Sequence, residues 1–186
     1  TQAVEKALEY AQTKEQKRSV YFVTGSLLER QKLYDQAEKQ FRLVLEIDPD
    51  DAAALNYLGY MLADRNVRLD EAYTLIKKAV DLDPDNGAYL DSLGWVYYRQ
   101  NKLEQAAEHL QRALARASRD PTLHDHLGDV YLKQGKIRQA QEQWQRSLRE
   151  WEQSAKAEVN PEEIAKIRKK LDSIKVRLAQ EGKGKQ

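Results

Sequence analysis

Large apolar residues recur along this chain at spacings of three and four, the period of a helix with one buried face and not the alternation of a strand. The pattern repeats at a longer period as well. Gly25, Gly59, Gly94 and Gly128 are separated by 34, 35 and 34 residues. Ala37, Ala72, Ala106 and Ala140 follow them after 12, 13, 12 and 12 residues, so one extra residue sits in the turn Ala63–Leu69. Thr24, Leu58, Leu93 and Leu127 precede the glycines, and Leu28, Leu62, Tyr97 and Tyr131 stand three residues after them. Phe41, Ile76, Leu110 and Trp144 lie four residues beyond the alanines, followed by Val44, Ala79, Ala113 and Ser147. Pro49 and Pro84 close the first two units, each within an Asp-Pro-Asp turn.

These residue types predict pairs of antiparallel helices. Glycine on one helix and alanine on the next let the backbones approach, and the bulky column fills the remaining space. Proline lacks an N–H for a continuing helix and forces the residue before it out of the α region. One pair cannot bury enough surface alone, so the units are expected to fold as a nearest-neighbour stack.

In these columns the chain resembles the tetratricopeptide repeat (TPR) family. The resemblance implies an all-α, right-handed α-solenoid with a C-terminal capping helix. Its expected divisions are residues 1–17 as the second helix of a preceding partial repeat (Ala3 and Ala7 in small-residue columns), repeats at 18–51, 52–86, 87–120 and 121–153, a cap at 160–180 and a flexible tail at 181–186. Thr24 stands where leucine is usual, and Ser118 and Glu152 stand where the closing proline would be. The segments 58–65 and 90–99 are similar, more loosely, to bacterial envelope-associated members.

In that family the first helix of each repeat lines a concave groove that holds peptides. Carried over by column, the groove residues are Phe22, Ser26 and Arg30; Asn56 and Tyr60; Asp91, Trp95 and Tyr98; and Asp125, Asp129 and Lys133. Tyr60 and Trp95 occupy equivalent columns of adjacent units. Exposed aromatic rings beside Asn and Asp suit a peptide: the rings give contact area, Asn56 a backbone hydrogen bond, and the aspartates attraction for a basic segment. Members that clamp a chaperone's carboxylate tail use Lys and Asn in the first unit's groove, where this chain has Phe22 and Ser26, so that activity is not expected.

After the fourth unit comes a polar joint, 154–159, and then Asn160-Pro161-Glu162-Glu163, a strong helix start with a capping Asn and Pro in the first turn. Ile164, Ile167, Leu171, Ile174 and Leu178 form one apolar stripe. It reads first as a cap over the end of the stack. Pairing of the 160–178 helix with a second copy is the alternative.

Composition narrows the function classes. The 186 residues are 33% charged with net charge +1, which gives no global attraction to nucleic acid. From Lys166 to Lys185 eight basic residues face two acidic ones; this reads first as a solvated helix face and frayed tail, so no specific nucleic-acid partner is expected, with a salt-sensitive contact to nucleic acid or anionic lipid as the alternative. No apolar run approaches the ~20 residues that span a bilayer. The chain opens with Thr1, which reads as a fragment or mature product, leaving the compartment open between bacterial cytoplasm and periplasm or outer-membrane association. There is no cysteine, no Gly-rich phosphate loop and no nucleophile elbow. His124 and His126 would point to different helix faces and cannot share a metal well. No catalytic residues, metal or cofactor are therefore expected. The chain reads as a protein-binding scaffold whose partner is a peptide or helix segment; a self-assembling structural protein, joined through terminal helices or the convex face, is the alternative.

Overall fold

The structure, a computed structural model, describes residues 6, 7, 9–154 and 160–183, with side chains as far as residue 175. Ala3, the joint at 155–159, the Leu178 side chain and the tail beyond residue 183 lie outside the described residues. Among the described residues the regular structure is entirely helical. The helices are α1 (Lys14–Arg30), α2 (Tyr34–Ile47), α3 (Ala52–Asp64), α4 (Leu69–Leu82), α5 (Gly87–Arg99), α6 (Leu103–Arg116), α7 (Pro121–Lys133), α8 (Ile137–Gln153) and α9 (Pro161–Lys183). The chain forms two compact units that divide after Gln100.

The helix starts follow local chemistry. Thr13 caps α1 by accepting from the Gln16 N–H at 3.1 Å, while the Gln16 side chain accepts from the Thr13 N–H at 3.1 Å. Residues 14–17 therefore belong to α1, which corrects the expectation that 1–17 form a preceding helix; the Thr13-x-x-Gln16 capping box starts a new helix there. Asp51, Asn86 and Asp120 cap α3, α5 and α7 in the same manner, and Pro121 occupies the first turn of α7.

Seven residues after each column glycine the backbone turns left-handed, at Lys32 (φ 60°), Asn66 (56°), Asn101 (62°) and Gly135 (76°). The N–H groups of Leu33, Val67 and Lys136 then reach back to the carbonyls of Leu28, Leu62 and Tyr131 at 2.9, 3.0 and 2.9 Å, which closes the preceding helices. The extra residue of the second unit is absorbed by a further left-handed position, Arg68 (φ 47°).

In unit 1, α1 packs on α2 and α3 on α4; α2 also meets α3, and α5 lies against both α3 and α4. In unit 2, α7 packs on α6 and α8, and α9 covers α8. The predicted core columns are fully buried: Ala37, Ala72, Ala106 and Ala140 with Phe41, Ile76, Leu110 and Trp144 are all 0% exposed. The glycines permit the close approach. A Cβ on Gly59 would lie 2.6 Å from Ile76 Cγ1 and 3.0 Å from the Ala72 carbonyl oxygen, and one on Gly128 would lie 2.4 Å from Trp144 Nε1. Thr24 occupies its buried leucine column because its hydroxyl donates to the Val20 carbonyl at 2.7 Å.

Between α2 and α4, Glu38 accepts from Arg42 (2.9 and 2.7 Å) and from Arg68, and Arg42 also reaches Glu71 at 2.6 Å. The Arg68 hydrogen bond, joined by those from Arg42 against the opposing effect of burial, holds the Glu38 carboxyl at about 2. This charged cluster ties consecutive pairs on the side of unit 1 formed by the second helices.

Candidate functional site

Helix periodicity sets which side of each first helix carries the columns three residues before and one residue after the glycine. In unit 1 these are Phe22 and Ser26 on α1, Asn56 and Tyr60 on α3, and Asp91 and Trp95 on α5, with Tyr98 one turn beyond. The structure separates them by depth. Phe22 is half-buried and packs edge-on against Phe41 (5.9 Å between centroids) and Tyr57 (5.3 Å), so much of its ring serves packing. Ser26 donates to the carbonyl of Phe22 at 3.1 Å. Tyr60, Asp91 and Tyr98 are half-buried, and Arg30 is exposed.

Trp95 departs from the expectation of an exposed ring: it is only 7% exposed. Tyr98 stacks on it at 4.8 Å, and the Arg99 guanidinium lies 5.0 Å from the indole centroid. Arg99 is anchored in turn by the backbone carbonyl and carboxylate of Asp64 on α3. A large ring at i meets the ring at i+3 on the same helix face, so Trp95 collapses onto its own helix. What the face offers is the outer surface of this Tyr98–Trp95–Arg99 stack.

Asn56 is also deeper than expected, 8% exposed, and its Oδ1 is buried with no hydrogen-bond partner. An unpaired buried acceptor of this kind costs about 1–3 kcal/mol. Next to it on the chain, Tyr57 keeps 43% of its surface exposed.

Sequence reasoning missed one feature of this face. Arg18, Ser19, Phe22, Val23, Asp51 and Ala53 line a depression of about 370 Å³. Arg18 bridges the helices by donating to Asp51 at 2.5 Å and Asp48 at 3.3 Å. Ser19 and Ala53 stand three residues before Phe22 and Asn56, so extending the column by one further turn would have found them.

In unit 2 the columns three residues before and one residue after the glycine are already engaged by a neighbouring helix. Asp125 and Asp129 were expected to be available to a basic ligand. Instead Lys170 of α9 donates to both Asp125 oxygens at 2.8 Å and to Asp129 at 2.9 Å. Burial pushes the Asp129 carboxyl above its ordinary value; the Lys170 charge opposes this and the Asp125 charge adds to it. Burial works against the Lys170 ammonium, but the Asp129 and Asp125 charges outweigh it and raise Lys170. Lys133 is exposed.

His124 is 5% exposed, with its ring nitrogens 2.7 Å from Gln143 Oε1 and 3.0 Å from the Ser118 carbonyl oxygen. It is held as a packed side chain between α7 and α8. Among the described residues, no group of three or more His, Asp or Glu side chains is placed to hold a metal ion, and no helix is long and apolar enough to cross a membrane.

The repeated helix pairs and their columns define a class, and comparison with known proteins agrees. A tetratricopeptide repeat model matches residues 2–52, 22–87 and 126–160, and a TPR repeat model matches 94–135. The chain belongs to the tetratricopeptide repeat family. It is 42% identical over 98 residues to the TPR repeat-containing protein PA4667 of Pseudomonas aeruginosa. That match takes in 53% of this chain and 17% of the relative, so the chain spans a small part of that protein's length. Among solved structures, PilW, a widely conserved type IV pilus biogenesis factor, has a TM-score of 0.71 at 22% identity, covering 91% of this chain and 82% of PilW. YrrB, a TPR protein with an unusual peptide-binding site, has a TM-score of 0.57 at 22% identity, covering 80% of this chain and 73% of YrrB. Both likenesses are of fold.

Proposed function

We propose that this chain is a non-catalytic adaptor that holds a peptide segment of a partner protein against the face of α1, α3 and α5. The observation that carries this reading is Asn56: a buried amide on that face whose carbonyl oxygen lacks a partner. Turning the Asn56 side chain outward on binding would bring this oxygen to the surface, where a backbone N–H of an extended segment satisfies it and recovers the free energy that the unpaired acceptor costs. The depression beside Phe22 and the stack of Tyr98 on Trp95 flank Asn56 with apolar surface that can take side chains. Carboxylate Asp91 favours a segment carrying positive charge. YrrB, which shares the fold, illustrates that such a scaffold can carry a peptide site.

Affinity capture from a bacterial extract, comparing the wild type with an Asn56→Ala, Tyr60→Ala bait, tests the reading. Circular dichroism verifies that the double variant, which also loses the half-buried Tyr60 ring, is folded; partner recovery is then expected to fall at least ~10-fold, the equivalent of about 1.4 kcal/mol. Equal recovery of the same proteins by both baits would rule this face out.

A further inference from the structure

Helix α9 does more than cover apolar surface. Its Ile167 and Ile174 are each 1% exposed, as a cap requires, yet between them it carries a half-buried charge. The Lys170 ammonium is seated against Asp125 and Asp129, which lie one turn apart on α7. The Trp144 ring of α8 forms the wall of the seat, with its centroid 5.7 Å from Nζ. Trp144 is itself fixed, because its Nε1 donates to the Asp125 carbonyl at 3.2 Å. Three helices thus build one cradle for a tetrahedral donor: two carboxylates from α7, an aromatic wall from α8 and an ammonium from α9. The opposite side of α9 carries Ala165, Arg168, Lys169 and Asp172, all exposed.

A cap would be served by aliphatic residues alone, since desolvating an ion pair offsets most of its attraction. The lysine supplies selectivity: without a cation, Asp125 and Asp129 would stand together in a partly buried site that disfavours their charge. The site therefore demands an ammonium, and the helix that brings it must present an aliphatic residue three positions before the lysine and another four after it.

We propose that this cradle is a receptor for a lysine-bearing amphipathic helix, with α9 as its resident occupant, and that a partner helix of the same pattern takes its place by displacement. The site lies wholly within unit 2 and does not depend on the peptide-binding reading of unit 1. The occupant is named by its chemistry: Ile or a similar aliphatic, Lys three residues later, and an aliphatic four residues after that.

The test uses the full chain carrying Lys170→Met, which keeps the packing of the lysine stem and removes its charge. The probe is a labelled synthetic peptide with the sequence of residues 160–178, beside the same peptide with Met at the lysine position. Binding is followed by fluorescence anisotropy, and circular dichroism verifies that the variant chain is folded. The lysine peptide is expected to bind the Lys170→Met chain at least ten-fold more tightly than the wild-type chain, whose own helix competes. It should also bind at least ten-fold more tightly than the Met peptide, and this preference should disappear when Asp125→Asn and Asp129→Asn are added. Equal binding of the two peptides, or no binding of either to the folded variant, would overturn the proposal and leave α9 as a fixed cap. Should Lys170→Met loosen the chain, Lys170→Gln is used with the same peptides and the same criteria.

Discussion

Gly128→Ala is expected to lower the stability of unit 2 by about 3 kcal/mol, through overpacking of about 1–3 kcal/mol and a hydrogen bond worth about 1 kcal/mol. The added Cβ would lie 2.4 Å from Trp144 Nε1 and 2.5 Å from Cδ1. The indole cannot retreat, because it is 0% exposed and its N–H is committed to the Asp125 carbonyl. Either α7 and α8 separate or the indole gives up its bond; both outcomes disrupt a close-packed interior. Gly135→Ala is the matched control. Gly135 has φ 76° with nothing within 4 Å of a Cβ, so it registers only the left-handed backbone cost of about 1 kcal/mol. Urea denaturation of both variants separates the two effects. Equal losses would mean that the glycine column serves backbone conformation and not helix approach.

The second large effect concerns Lys170→Ala. Removing one partner of a buried ion pair costs about 3–5 kcal/mol; Lys170 keeps 28% exposure, so about 2 kcal/mol is expected at pH 7. The loss depends on pH. Asp129 titrates above its ordinary 3.8 in the folded chain, so its burial penalty is present at neutral pH and is relieved as pH falls through its folded value. Removing the ammonium enlarges that penalty, with Asp125 adding repulsion and His126 opposing it. The difference between variant and wild type should therefore shrink toward pH 4. On the alkaline side, the raised Lys170 contributes fully below 10.5, and its contribution is lost as pH rises through its folded value. Denaturation midpoints across pH 4–9 check the acid side of this dependence. A difference that stays constant across the range would mean that the lysine acts by packing alone.

The fold was legible because its information is periodic. The alanine column and the bulky column that follows it reappear as wholly buried residues, since close helix packing leaves little freedom in what fills the gap. The start of α1 is also written in the sequence, in the Thr13–Gln16 capping box, whose local hydrogen bonds override the small-residue period extended backwards from the first repeat. The candidate site was less legible. A column position fixes the side of the helix on which a residue lies and not its depth. Trp95 and Asn56 lie on the assigned side yet are buried, one by stacking with Tyr98 and the other beneath the surface of its helix face. The pairing of Lys170 with Asp125 and Asp129 spans more than 40 residues and joins a repeat to a helix outside the repeat pattern, so no period could announce it. A basic residue between two stripe positions of an otherwise apolar helix face was the only signal.

Site-specific photocrosslinking tests the central claim most directly. A benzophenone amino acid is placed at Tyr60, on the proposed binding face, or at Thr74, exposed on α4. If unit 1 holds its partner along α1, α3 and α5, irradiation in the bacterial cell yields a discrete adduct from position 60 and none from position 74. Adducts from position 74 with none from position 60 would contradict the account, because the partner would then be engaging the second helices instead.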